Sequence, residues 1–260
     1  MRLLSASSFV LVLALASSTL SGCASSSRAG DSTTWTPALT DQASGTDALL
    51  IGSHAVNEDV VWLYGTGGTV VRTADGGTTW SASVIPGTDT LQLRDIHAMD
   101  AETAWALSIG SGASSRIFKT TDGGASWRTT FVNDEPDGFL DCLSFWDARH
   151  GLAFSDSIED GLYLLTTRDG GEMWQRVPTR SLPDALPGEG SFAASGTCVI
   201  TRGRELAWVG MGNASPARPT AAVASHLPCG TLAVPAARLH SRALVVPARV
   251  FPARFDSAPR

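Results

Sequence analysis

The chain holds only two tyrosines and four cysteines in 260 residues, and just 17% of it is charged. It has no HExxH, GxSxG, Walker loop or CxxC pair, which removes the commonest metalloprotease, serine-hydrolase, nucleotide and thiol-redox readings. Positive charge is scarce: 19 Lys and Arg against 25 Asp and Glu leave a net charge of −6. Residues 214–260 contribute six Arg against Asp256, so the preceding part carries about −11. A nucleic-acid surface is normally basic, and this balance argues against one. Electrostatic attraction to anionic lipid is disfavoured for the same reason. No apolar run is long enough to be retained as a membrane span, which takes about 20 residues.

What the chain does have is repetition. Three strings share one pattern: Thr73-Ala74-Asp75-Gly76-Gly77-Thr78-Thr79-Trp80, Thr120-Thr121-Asp122-Gly123-Gly124-Ala125-Ser126-Trp127 and Thr167-Arg168-Asp169-Gly170-Gly171-Glu172-Met173-Trp174. The aspartates stand 47 residues apart both times. A period of this length marks stacked units, none of which buries its apolar face alone. Asp-Gly is a strong hairpin signal because glycine accepts positive φ. The Thr hydroxyl and Asp carboxylate can take N–H groups that the turn frees, and the Trp packs beneath. A second register lies upstream, where Ser53–Trp62, Ile96–Trp105, Leu143–Leu152 and Val199–Trp208 each read as strand, polar turn, strand. Together these give four strands per unit, the blade of an all-β propeller with antiparallel four-stranded blades. Ser32–Thr36, with Trp35, is read as an outer strand of the last blade.

The three strings resemble the Asp box, S/T-x-D-x-G-x-x-W, of the bacterial neuraminidase repeat family. Over Trp35 to Gly212 the layout is similar to exported propellers of the photosystem II stability/assembly factor type. That resemblance implies a non-catalytic binding platform with the box residues on its periphery. Thr73, Asp75, Gly77, Trp80, Thr120, Asp122, Gly124, Trp127, Thr167, Asp169, Gly171 and Trp174 are therefore expected to be structural. Sialidase activity is not expected. That family's Arg-Ile-Pro signature is missing, Arg116-Ile117-Phe118 only begins like it, and neither Tyr64 nor Tyr163 stands in a catalytic context.

The ends read differently from the middle. Residues 1–22 form a signal peptide, with Arg2, an apolar stretch Phe9–Ala16, and Leu20-Ser21-Gly22-Cys23, which resembles the lipobox of bacterial lipoproteins. In that family the cysteine is lipidated and becomes the first mature residue. The expectation is a membrane anchor through Cys23, in the cell or outer membrane, followed by a linker over 23–31. The alternative is an ordinary secretory signal cleaved after Ala14-Leu15-Ala16. Residues 32–213 make up the blades. Residues 214–260 hold 12 Ala and 7 Pro but no Glu, Lys, Asn, Gln, Trp or Tyr, while all eight Trp lie between Trp35 and Trp208. The fourth Asp is due between Ala221 and Ser225, where none stands. The tail is expected to be frameshifted or a disordered extension. The ring would then be incomplete, about four blades with the last one broken.

Candidate sites are few. Asp134, Glu135, Asp137 and Asp141 precede the third blade, and Asp156, Glu159 and Asp160 lie between its middle strands. Seven carboxylates on one rim could take Ca²⁺, a sugar or a basic peptide, or simply be solvated loops; their spacing matches no dedicated calcium loop. His54 and His97 share a repeat position with Ser144 and Ile200, which reads as packing, not metal ligation. Cys142 and Cys198 share another position, as a disulfide in an exported compartment or as two buried thiols. No cofactor and no metal are expected. The partner is expected to be an envelope protein or a glycan.

Overall fold

The computed structural model describes residues 39–159, 161–186, 189–193, 196–204, 206–213 and 241–247. Four antiparallel sheets follow one another along the chain. The first holds β1 (Leu50–Ala55), β2 (Val61–Gly65), β3 (Thr69–Thr73) and β4 (Ser81–Val84) in sequence order. The second repeats this with β5 (Gln92–Ala98), β6 (Ala104–Ile109), β7 (Arg116–Thr120) and β8 (Arg128–Val132). The third has β9 (Leu140–Phe145), β10 (Gly151–Ile158), β11 (Gly161–Thr167) and β12 (Gln175–Arg176). The fourth joins β13 (Glu189–Gly190), β14 (Val199–Arg202), β15 (Leu206–Asn213) and β16 (Ser241–Pro247). This is the all-β propeller that the 47-residue period predicts.

Side chains alternate across each strand, and the middle strands of the second and third blades feed two cores. In β6, Ala104 and Ala106 join Trp62, Tyr64, Val70 and Phe118 between the first two blades. Trp105 and Leu107, one step out of phase, meet Leu143, Phe145 and Leu165 of the third blade. Leu152 and Phe154 of β10 then face Ala207, Val209 and Met211 of the fourth. Three cores thus join four blades, as repeat stacking demands.

The fourth sheet departs from the pattern. Gly212 pairs with Gly190 of β13 and with Ser241 of β16, so these two strands flank β15 on opposite edges. β16 runs along Leu206 to Gly212, within the tail expected to be extraneous to the fold. Met1–Cys23, the Trp35 segment, and the rest of 214–260, including Cys229, lie outside the described residues.

Candidate functional site

At each Asp-Gly-Gly hairpin the side chains hold the turn as their chemistry requires. The Gly77, Gly124 and Gly171 amides donate to the Thr73, Thr120 and Thr167 hydroxyls at 2.9, 3.0 and 2.8 Å. Each hydroxyl in turn donates to the neighbouring Asp at 2.8 Å. The carboxylates also accept the Thr79, Ser126 and Met173 amides. These bonds hold the Asp75 and Asp122 carboxyls below the ordinary range, the Thr79 and Ser126 hydroxyls contributing most. Each carboxylate is thus turned onto its own hairpin.

The glycines also receive the preceding blade. Trp62 lies against Gly124, and Trp105 against Gly171, where an added Cβ would stand 2.5 Å from Trp105 Nε1. The indoles donate to the Asp100 and Gly170 carbonyls at 3.1 and 2.9 Å. Above them sit Arg72 and Lys119, 5.5 and 5.4 Å from the ring centroids. Both cations reach the next blade as well, Arg72 at the Ala101 carbonyl and Lys119 at Glu172.

The chemistry that is not absorbed by scaffolding lies where β1, β5 and β9 converge. β5 packs on both β1 and β9, and each of the three carries an extra residue against its partner. The bulge residues are Ile51, Arg94 and Asp141, at one repeat position. Bulges re-aim side chains and are common beside functional sites. Asp141 was expected on a rim loop, but β9 begins at Leu140 and buries it to 1% exposure. Its Oδ2 has no hydrogen-bond partner among the described residues. Burial, and then the charge of Asp156, push its carboxyl up to about 8. Asp156 likewise belongs to β10, not to a loop, and burial raises it too.

A stretch of the chain's own backbone lies across this face. Arg94 Nη1 donates to the Ala193 carbonyl at 3.3 Å, and the Ala193 amide faces Asp141. Asp156 accepts the Ser191 amide at 2.8 Å. Gly196 passes so close to Asp95 and the Tyr64 hydroxyl that a Cβ there would stand 2.2 and 2.8 Å from them. Asp95 is buried and accepts the Leu143 amide at 2.7 Å, and desolvation raises its carboxyl to about 8. Cys198, where this strap ends, is bonded to Cys142 with Cα atoms 6.0 Å apart, inside the span a bridge tolerates.

The remaining rim residues scatter. Glu135 pairs with Arg176 at 2.6 Å, whereas Asp134 and Asp137 are exposed and Asp160 lies outside the described residues. Glu159, at φ 54, occupies the left-handed region and borders two open clefts. One, of about 370 Å³, adds Asp156, Glu189 and Phe192; the other, of about 450 Å³, adds Glu135, Arg176 and Thr179. No three described His, Cys, Asp or Glu are grouped to hold a metal ion. His54 and His97 meet as tilted rings with centroids 4.8 Å apart, and burial followed by the neighbouring His54 pushes His97 down to about 3. That pair packs as neutral rings. Arg94, Asp95, Glu189 and the strap carry no motif. Their one sequence signal is the adjacent Arg94-Asp95 pair within β5.

Fold and site together define a β-propeller whose inner strands hold main-chain groups of the chain's own Ser191 and Ala193. No protein-family model and no curated protein matches the chain. Among solved structures it is similar to YCF48 bound to D1 peptide, at 20% identity and TM-score 0.41 over 51% of this chain and 42% of that one. YCF48 from Cyanidioschyzon merolae gives 16% and 0.44, over 66% and 55%. The Niastella koreensis GH74 enzyme gives 14% and 0.46, over 65% and 27%. The chain therefore spans about half or less of the length of these structures.

Proposed function

We propose that the protein is an exported, lipid-anchored propeller acting as a non-catalytic binding or assembly platform for an envelope protein, in the form of a truncated product of a larger propeller. The observation that carries this reading is the strap. Arg94, Asp141 and Asp156 engage main-chain groups of the chain's own Ser191 and Ala193, which supports a face suited to extended polypeptide. A partner segment entering there would meet the same donors and acceptors. The Asp-box resemblance and the lipobox at Cys23 fit a scaffold held at a membrane surface. Crosslinking in intact cells should recover an envelope protein, and Arg94→Ala should lower that yield several-fold. Unchanged recovery would set the reading aside.

A carbohydrate-active or glycan-binding reading draws on the same residues. Asp95 and Asp141 are held protonated near neutral pH, the state a general acid needs. Glycan-array binding or hydrolysis lost in Asp137→Ala or Asp141→Ala would favour it.

A further inference from the structure

The indole lock is repeated along the chain, and its two halves are left unmatched at the two terminal blades. Trp62, Trp105, Leu152 and Trp208 hold one register position, opposite His54, His97, Ser144 and Ile200. At the first two interfaces this position supplies a ring that covers the next blade's hairpin glycine and donates to a carbonyl beside it. Trp208 alternates with Ala207 and Val209, which face the third blade, so its ring is directed to the opposite side. There it has no hydrogen-bond partner and no ring contact among the described residues. Ile200 and Leu206, 56% and 43% exposed, lie beside it in the same sheet.

The first blade offers the complementary half. At its hairpin glycine, Gly77, the nearest described atoms belong to no indole. Gln42 of the chain's own approach segment lies there, its Oε1 2.7 Å from where a Cβ would stand. Trp80 Nε1 holds that amide at 2.6 Å. Trp62 and Tyr64 point to the second blade, which directs Leu63 to the free side at the position of Ala106 and Ala153 in the blades that follow. The first blade therefore has a receiving face and the fourth an inserting one.

We infer that two copies of this chain associate head to tail, Trp208 of each entering over Gly77 of the other and displacing Gln42. The pairing continues the blade-to-blade interface already used three times within the chain. Two copies close the ring only where each chain's four blades span half a turn, as the inference requires; a pairing that ran on as an open filament would overturn it. The closed product has eight blades, within the usual range of about four to eight. It also covers the exposed Ile200 and Leu206 of the fourth blade.

Native mass spectrometry and sedimentation of the full-length chain test this. A dimer is expected at micromolar concentration, and a monomer at tens of micromolar would overturn the inference. Trp208→Ala and Leu63→Arg should each weaken the dimer at least tenfold. A dimer indifferent to both would also overturn it. Mixing the two variants should restore association between unlike copies, since one intact interface remains, and failure to do so while both melt cooperatively would count against it. Should Trp208→Ala not fold, Leu63→Arg mixed with the parent chain reads the same interface.

Discussion

At the scale of single residues, two kinds of polar group behave in opposite ways. The hairpin Thr side chains are buried yet fully partnered, so each is worth a hydrogen bond plus the cost of stranding its donor. Thr120→Val should cost about 1–2 kcal/mol, read as a melting temperature lower by a few degrees. Asp95 and Asp141 are buried, and neither forms an ion pair among the described residues. Their carboxyls are raised to about 8 in the folded chain, so the folded state binds more protons than the unfolded one above pH 4. Their contribution to stability is complete below about pH 4 and is lost as pH rises toward 8. Thermal melts should fall from pH 5 to pH 8, and Asp141→Asn should flatten that slope. A slope unchanged by the substitution would show that Asp141 does not titrate in this window. Sequence made the Thr-Asp chemistry plain, since three copies announced it. It could not reveal that Asp141 is buried, because the bulge that turns it inward is a property of pairing with β10.

At the scale of elements, the period-2 alternation in β6 and β10 follows from composition: a strand with both faces apolar needs a neighbour on each side. What reading strands singly missed is the strap between β13 and β14. Arg94 of the second blade and Asp141 and Asp156 of the third hold its main-chain groups. The Cys142–Cys198 bridge closes its end over 56 residues. Cys198→Ser should therefore cost about 2–4 kcal/mol. Limited proteolysis should then cut between residues 186 and 198 before the first three blades yield. Equal protection with and without the bridge would show that the polar contacts alone hold the strap.

At the scale of the whole molecule, four sheets share three cores, and the fourth owes an edge partner to a segment whose composition is foreign to the rest. β16 covers β15 from Leu206 to Gly212. A chain ended at Asn213 should melt several degrees lower than the full chain by calorimetry, whereas equal melting would show that this ladder adds nothing. The sequence by itself determined the number of units, their strand order and the hairpin chemistry, because all three are local and recur every 47 residues. Only the tertiary structure brought Arg94, Asp141 and the strap together, and left Trp208 without the glycine its counterparts cover. Those relations join residues from blades that are distant in sequence, and no period along the chain encodes them.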